Sequence, residues 1–263
     1  VRIVGETNIG LTKESNMSTD PITPDLSGRR VLVPGGTGGV GEGIVRAYLD
    51  AGADVVVPTR SDARGTELRA ALGTIGTSQL LHLPTHDYTS FAGAEALGAE
   101  MTERLGGVDD VVVPVGGWWQ GGPLTTIGED DWAGAFTGLA TAHMALARAI
   151  VPRLSGVGAY TVIVGQSAEF PVPGSGLVSM EQAAVLMMQR VLAAESPDER
   201  VHALVLGPVR TRFVDGEPDW VSASEVGAAA VALSLATGFG SRSVSLASST
   251  EARTALEAFR AAA

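Results

Sequence analysis

The sequence predicts an α/β fold, a single domain on a doubly wound parallel sheet of about seven strands with helices on both faces. Three observations carry that prediction. Short valine-rich apolar runs alternate with longer segments of helical spacing. The runs lack polar alternation, as expected of strands covered on both sides. The first run passes through a glycine-rich turn straight into a helix, the arrangement by which α/β proteins bring free backbone N–H groups to a phosphate.

Residues 31–33 form the first predicted strand, ending at the turn Gly35-Gly36-Thr37-Gly38-Gly39-Val40-Gly41, and residues 43–49 continue it as a helix. A second buried strand over 53–58 leads to a helix over 63–72, and a weaker third strand over 80–83 leads to helical spacing over 90–105. The fourth strand spans 111–113 and is followed by a long helix over 129–154. A fifth strand over 161–164 precedes a second long helix, 176–195, rich in Met, Leu and Val. The sixth strand covers 201–206, and a helix over 224–236 with a short strand over 244–246 completes the alternation. Residues 1–27 are polar, without helical or strand period, and are expected to be a loosely ordered extension to the domain at 28–263. Met17-Ser18-Thr19-Asp20 is a candidate natural start, which would make the preceding residues an upstream or expression artefact.

Composition narrows the partners. The 263 residues carry 29 acidic against 18 basic side chains, a formal charge of −11 that disfavours nucleic acid and anionic membrane surfaces. No cysteine is present, and the four histidines, His82, His86, His143 and His202, have no metal-ligand spacing, so no metal is expected. With no uninterrupted apolar run of membrane length and no secretory leader pattern, the expected location is the cytoplasm and the expected partner a small molecule.

In a doubly wound sheet the ligand lies beyond the C-terminal strand ends. Thr59, Arg60 and Ser61 follow the second strand there; a permanently charged guanidinium between two hydroxyls suits a ribose 2′-phosphate, and no carboxylate stands where NAD(H) would want one. This favours NADP(H) over NAD(H), against the alternative that Arg60 is an ordinary surface arginine. Trp118 and Trp119 fall at the mouth of the cleft, where they would stack on a ligand or else cover the core and a subunit contact.

From about residue 26 to 244 the chain resembles the short-chain dehydrogenase/reductase superfamily, a Rossmann-type fold. Pro34-Gly35-Gly36-Thr37-Gly38-Gly39-Val40-Gly41 is similar to its Thr-Gly-x-x-x-Gly-x-Gly turn, with proline for the threonine. Asp87-Tyr88 resembles the pair whose carboxylate accepts from the adenine amino group, its alternative being the start of the next helix. Gly207-Pro208-Val209-Arg210-Thr211 resembles the segment over the nicotinamide. The resemblance thus implies contacts from Gly35, Thr37, Gly38, Gly39, Val40, Gly41, Asp87, Tyr88, Gly117, Gly207, Val209 and Thr211.

Catalytic members of that family use a Tyr-x-x-x-Lys pair, a serine and an asparagine. Here the only lysine is Lys13, and the tyrosines are Tyr48, Tyr88 and Tyr160. Family spacing puts Val178 in the tyrosine slot, Gln182 in the lysine slot, Gly165 in the serine slot and Leu139 in the asparagine slot, while Asn-Asn-Ala-Gly becomes Pro114-Val115-Gly116-Gly117. A displaced Ser167, or His143, would be the substitutes, with a loop serine and a packed histidine as the plainer readings. The methionine-rich faces of the two long helices suit a homodimer or homotetramer, a pairing common in the family. Three functions remain open: an NADP(H) oxidoreductase with an unorthodox proton donor, a non-catalytic cofactor-binding scaffold or sensor, and a cyclase or lyase that uses no cofactor.

Overall fold

A computed structural model describes residues 24–263. In chain order the elements are β1 (Arg30–Leu32), α1 (Gly39–Asp50), β2 (Asp54–Val56), α2 (Asp62–Leu72), β3 (Leu81–His82), α3 (Phe91–Leu105), β4 (Val108–Val113), α4 (Glu129–Trp132) and α5 (Leu139–Ile150). They continue with β5 (Leu154–Gly165), α6 (Gly176–Glu195), β6 (Arg200–Leu206), β7 (Val209–Arg210), β8 (Val221–Ser222), α7 (Ala223–Leu235), β9 (Ser243–Leu246) and α8 (Ser249–Arg260). Seven strands form one parallel sheet in the order β3-β2-β1-β4-β5-β6-β9, while β7 and β8 make a separate short pair. The order reverses direction between β1 and β4, and a crevice opens beyond their C-terminal ends.

Strand pleating feeds two cores. Val31 and Val33 point into a layer with Ile44, Val45, Leu68, Val226 and Leu233 from α1, α2 and α7, while Leu32 between them points into the layer built by α3, α5 and α6. Both faces are therefore apolar, which is why the strands read as continuous runs.

Several elements differ from expectation. β4 begins at Val108, with Asp109 and Asp110 in the sheet, paired with Arg30 at the start of β1 and Arg29 just before it. Arg29 holds Asp110 through Nε at 2.7 Å and Nη2 at 3.1 Å, and Arg30 holds Asp109 through Nη2 at 2.7 Å and Nε at 2.8 Å. The helix expected over 129–154 contains a π-helical stretch, Ala133–Gly138, between α4 and α5. α8 was not anticipated; Ser248 caps it, and Ala252 and Phe259 bury its inner face. Leu26 is buried with its N–H bonded to Ala51 at 2.7 Å, so the packed domain reaches back before residue 28, and residues 1–23 of the expected extension lie outside the described residues. Glu129–Arg153 is long and apolar enough by composition to cross a membrane, yet it packs here against α3 and α6.

Candidate functional site

The C-terminal ends of β1, β4, β5 and β6 enclose a cleft of about 660 Å³. Its phosphate end is the glycine turn. Gly35 adopts φ +84°, and a Cβ there would approach the Pro114 carbonyl oxygen at 2.8 Å, so the turn closes only with glycine. At Gly41 a side chain would collide with the carbonyl oxygen of Gly35. Gly38, Gly39, Val40 and Gly41 line the cleft; Gly38 caps α1 without a side-chain oxygen, leaving the first helical N–H groups available to an anion. Gly207, Val209 and Thr211 face them from beyond β6, with Gly117 and Trp118 from beyond β4.

Beside this turn, at the ends of β2 and β3, Arg60 is exposed and has no hydrogen-bond or ion-pair partner among the described residues. Ser61 is exposed next to it. Thr59, in contrast, is 3% exposed and donates its hydroxyl to the Ser61 carbonyl at 2.9 Å, which removes it as a phosphate donor. Asp87 does not start a helix: its Oδ1 accepts from the N–H and hydroxyl of Thr89, holding the carboxyl below its usual range, and Ser90 caps α3. The Tyr88 phenol is buried beside the Gly35 N–H, its pKa raised by burial, and Thr37 is half-buried in the turn.

At the opposite end, Gly165, Ser167, Val178 and Gln182 all line the cleft. Two other expected members do not. Trp119 donates its indole N–H to Asp131 Oδ1 at 3.2 Å and packs over Gly121, so it anchors the loop to α4; Leu139 packs into the core. Gln166, Val172, Phe213 and Val214 complete the lining and were not anticipated, since nothing in their local sequence marks them. Among the described residues no ionisable side chain lines the cleft. Tyr48 and Tyr160 are fully buried away from it. Among the described residues no cluster of three His, Asp or Glu is placed to hold a metal.

Behind Gln182 lies a buried polar chain. The Gly165 N–H donates to Gln182 Oε1 at 2.6 Å, and Gln182 Nε2 donates to Glu181 Oε2 at 2.5 Å. Glu181 Oε1 is 3.8 Å from His143 Nε2, which donates to the Val115 carbonyl at 2.8 Å. His143 is thus packed, as its plainer reading had it, and burial pushes it down to about 4. Burial pushes Glu181 up to about 7, the Gln182 bond offsetting only part of this. The folded chain therefore keeps a proton that the unfolded chain releases near 4.5. The stability from this proton is complete below that value and lost as pH rises through 7. Glu181→Gln is expected to remove this slope, leaving the variant about 2–4 kcal/mol more stable than the wild type above pH 8 relative to their difference at pH 4, as read by urea melts across pH.

Residues 35–241 match the family model described as enoyl-(acyl carrier protein) reductase. A hydroxysteroid 11-beta-dehydrogenase 1-like protein of Xenopus tropicalis is 31% identical over 59% of this chain, which spans 54% of that relative's length. A rhamnolipids biosynthesis 3-oxoacyl-(acyl-carrier-protein) reductase of Pseudomonas aeruginosa is 26% identical over 75% of this chain and 80% of its own. Among solved structures, a short-chain oxidoreductase of P. aeruginosa PAO1, described as containing an atypical catalytic centre, superposes with a TM-score of 0.75 at 20% identity, over 84% of this chain and 96% of its own.

Proposed function

This chain belongs to the short-chain dehydrogenase/reductase family, and we propose that it binds NADP(H) in the cleft with a degenerate active site that does not perform ordinary Tyr/Lys-dependent carbonyl reduction. The single observation that carries this reading is the contrast between what stands beside the cleft and what lines it. Beside the glycine turn, Arg60 is exposed next to Ser61 with no hydrogen-bond or ion-pair partner among the described residues, and its guanidinium suits a 2′-phosphate. Within the cleft, valine and glutamine occupy positions 178 and 182, and neither can pass a proton to a substrate oxygen. When bound, the nicotinamide cofactor would supply a hydride. The chain's own groups would hold its phosphates at the N-terminus of α1 and shelter the reacting end behind Trp118, Val172 and Phe213. An uncharged lining of this kind suits a neutral, largely apolar second ligand. The exposed Met144, Met180 and Met187 on α5 and α6 support pairing with a second copy of the chain.

Arg60→Ala is expected to weaken NADPH binding roughly 10- to 100-fold, the worth of a charged hydrogen-bonded contact, while leaving NADH binding within about twofold. Titration of nicotinamide fluorescence measures both. Equal weakening of the two nucleotides, or none, would defeat the 2′-phosphate assignment, and a wild type that binds neither would defeat the cofactor reading altogether.

A further inference from the structure

We propose that Gln182 is a fixed hydrogen-bond donor to an uncharged oxygen of the bound ligand, and that the buried carboxyl of Glu181 is the positioning residue that holds it so. The orientation of the amide follows from its neighbours. The Gly165 N–H at 2.6 Å can only donate, so the atom facing it is Oε1, and the other end of the amide is the NH2 group. One of its two hydrogens goes to Glu181 Oε2 at 2.5 Å. The second has no partner among the described residues, and Nε2 lies 3.8 Å from where a Cβ on Gly116 would stand, on the cleft side. Gln182 therefore keeps its oxygen on the Gly165 N–H and presents a free amide hydrogen on the Gly116 side. With no cation at this end of the cleft among the described residues, a carboxylate or phosphate would gain little there, whereas a hydroxyl or carbonyl oxygen matches a single amide hydrogen.

Glu181 makes the arrangement sensitive to pH. Its side chain is fully buried; among the described residues Oε1 has no hydrogen-bond partner, and of the titratable groups on the elements packed against α6 only His143 faces it. Arg148 of α5 lies over Phe91, and burial is the dominant influence on the carboxyl. When Glu181 ionises, its bond to Nε2 becomes charge-assisted and tightens the grip on the amide.

Two ligand sources share this chemistry, the nicotinamide half of a dinucleotide and a neutral carbonyl compound; the first rests on the NADP(H) reading and the second does not. The test compares Gln182→Met, Glu181→Met and Glu181→Gln with wild type against NADPH, 2′,5′-ADP and 2-decanone. The two methionine variants are expected to lose about tenfold in affinity for one ligand, and Glu181→Gln, which keeps an acceptor for Nε2, to stay within about threefold. Loss for NADPH with 2′,5′-ADP unchanged places the oxygen on the nicotinamide half. Loss confined to 2-decanone places it on the carbonyl compound. Failure of 2′,5′-ADP to bind wild type would sink the cofactor reading alone. A readout independent of any ligand is the Gln182 side-chain amide resonance in 15N-labelled protein. Between pH 6 and 8 it should move downfield in wild type and stay still in Glu181→Gln. A wild-type resonance that does not move, or methionine variants that bind every probe as wild type does, overturns the proposal.

Discussion

Asp110→Ala is expected to lower the unfolding free energy by about 3–5 kcal/mol, the loss that follows when one partner is removed from a buried ion pair. That is a large part of the roughly 5–15 kcal/mol that holds a typical domain folded. The Asp110 side chain is 1% exposed and its Arg29 partner 16%. Without the carboxylate, the guanidinium is left largely out of water without its paired counter-charge, and the Ala159 N–H, 3.2 Å from Oδ1, loses that acceptor. Arg29→Met in the same chain should recover much of the loss, because the uncompensated charge goes with it. The contrast is Arg104→Ala. Its guanidinium is 68% exposed beside Glu100, and its removal should cost less than about 1 kcal/mol. Urea unfolding of the four chains measures all of this. A single-variant loss no larger than that of Arg104→Ala would mean the pair contributes nothing to the sheet.

The same aspartates show where the sequence was opaque. The predicted fourth strand starts only at residue 111, because two adjacent carboxylates carry no signal for a strand covered on both faces. Their arginine partners stand 79 and 81 positions earlier, beyond any local window. β5 was shortened likewise, since Gly156 and Gly158 mask the first half of a strand that starts at Leu154. α8 is a different case. Ser248 followed by Glu251, with Ala252, Ala255, Leu256 and Phe259 at helical spacing, is a legible start and apolar face. In the site, spacing along α6 and β5 placed Gly165, Val178 and Gln182 on the cleft, because those elements run without interruption to it. Leu139, expected on the cleft, is instead packed against the core, and the π-helical stretch that precedes it is a change in residues per turn that no sequence spacing carries. Trp119 failed for a reason no count could reveal, the hydrogen bond of its indole to Asp131.

Val178→Tyr combined with Gln182→Lys is expected to raise NADPH-dependent ketone reduction roughly 100- to 10,000-fold over wild type, the usual worth of one positioned acid. Positions 178 and 182 lie one turn apart on a single face of α6, and both line the cleft. A phenol at the first would reach the space next to Gly165, and an ammonium at the second would lower the phenol's pKa by proximity of charge. Glu181 opposes this. An ammonium at position 182 would stand beside the buried carboxyl, favour its ionisation and be drawn towards it, away from the phenol. Adding Glu181→Gln removes that competitor, so the triple variant should be the faster of the two. The rate is followed as loss of NADPH absorbance with a panel of neutral ketones, after nucleotide binding has been verified for each chain. A double variant that folds and binds NADPH yet turns over no faster than wild type would show that the missing phenol and ammonium are not what limits this site. Catalysis by wild type at an ordinary rate would refute the degenerate-site reading itself.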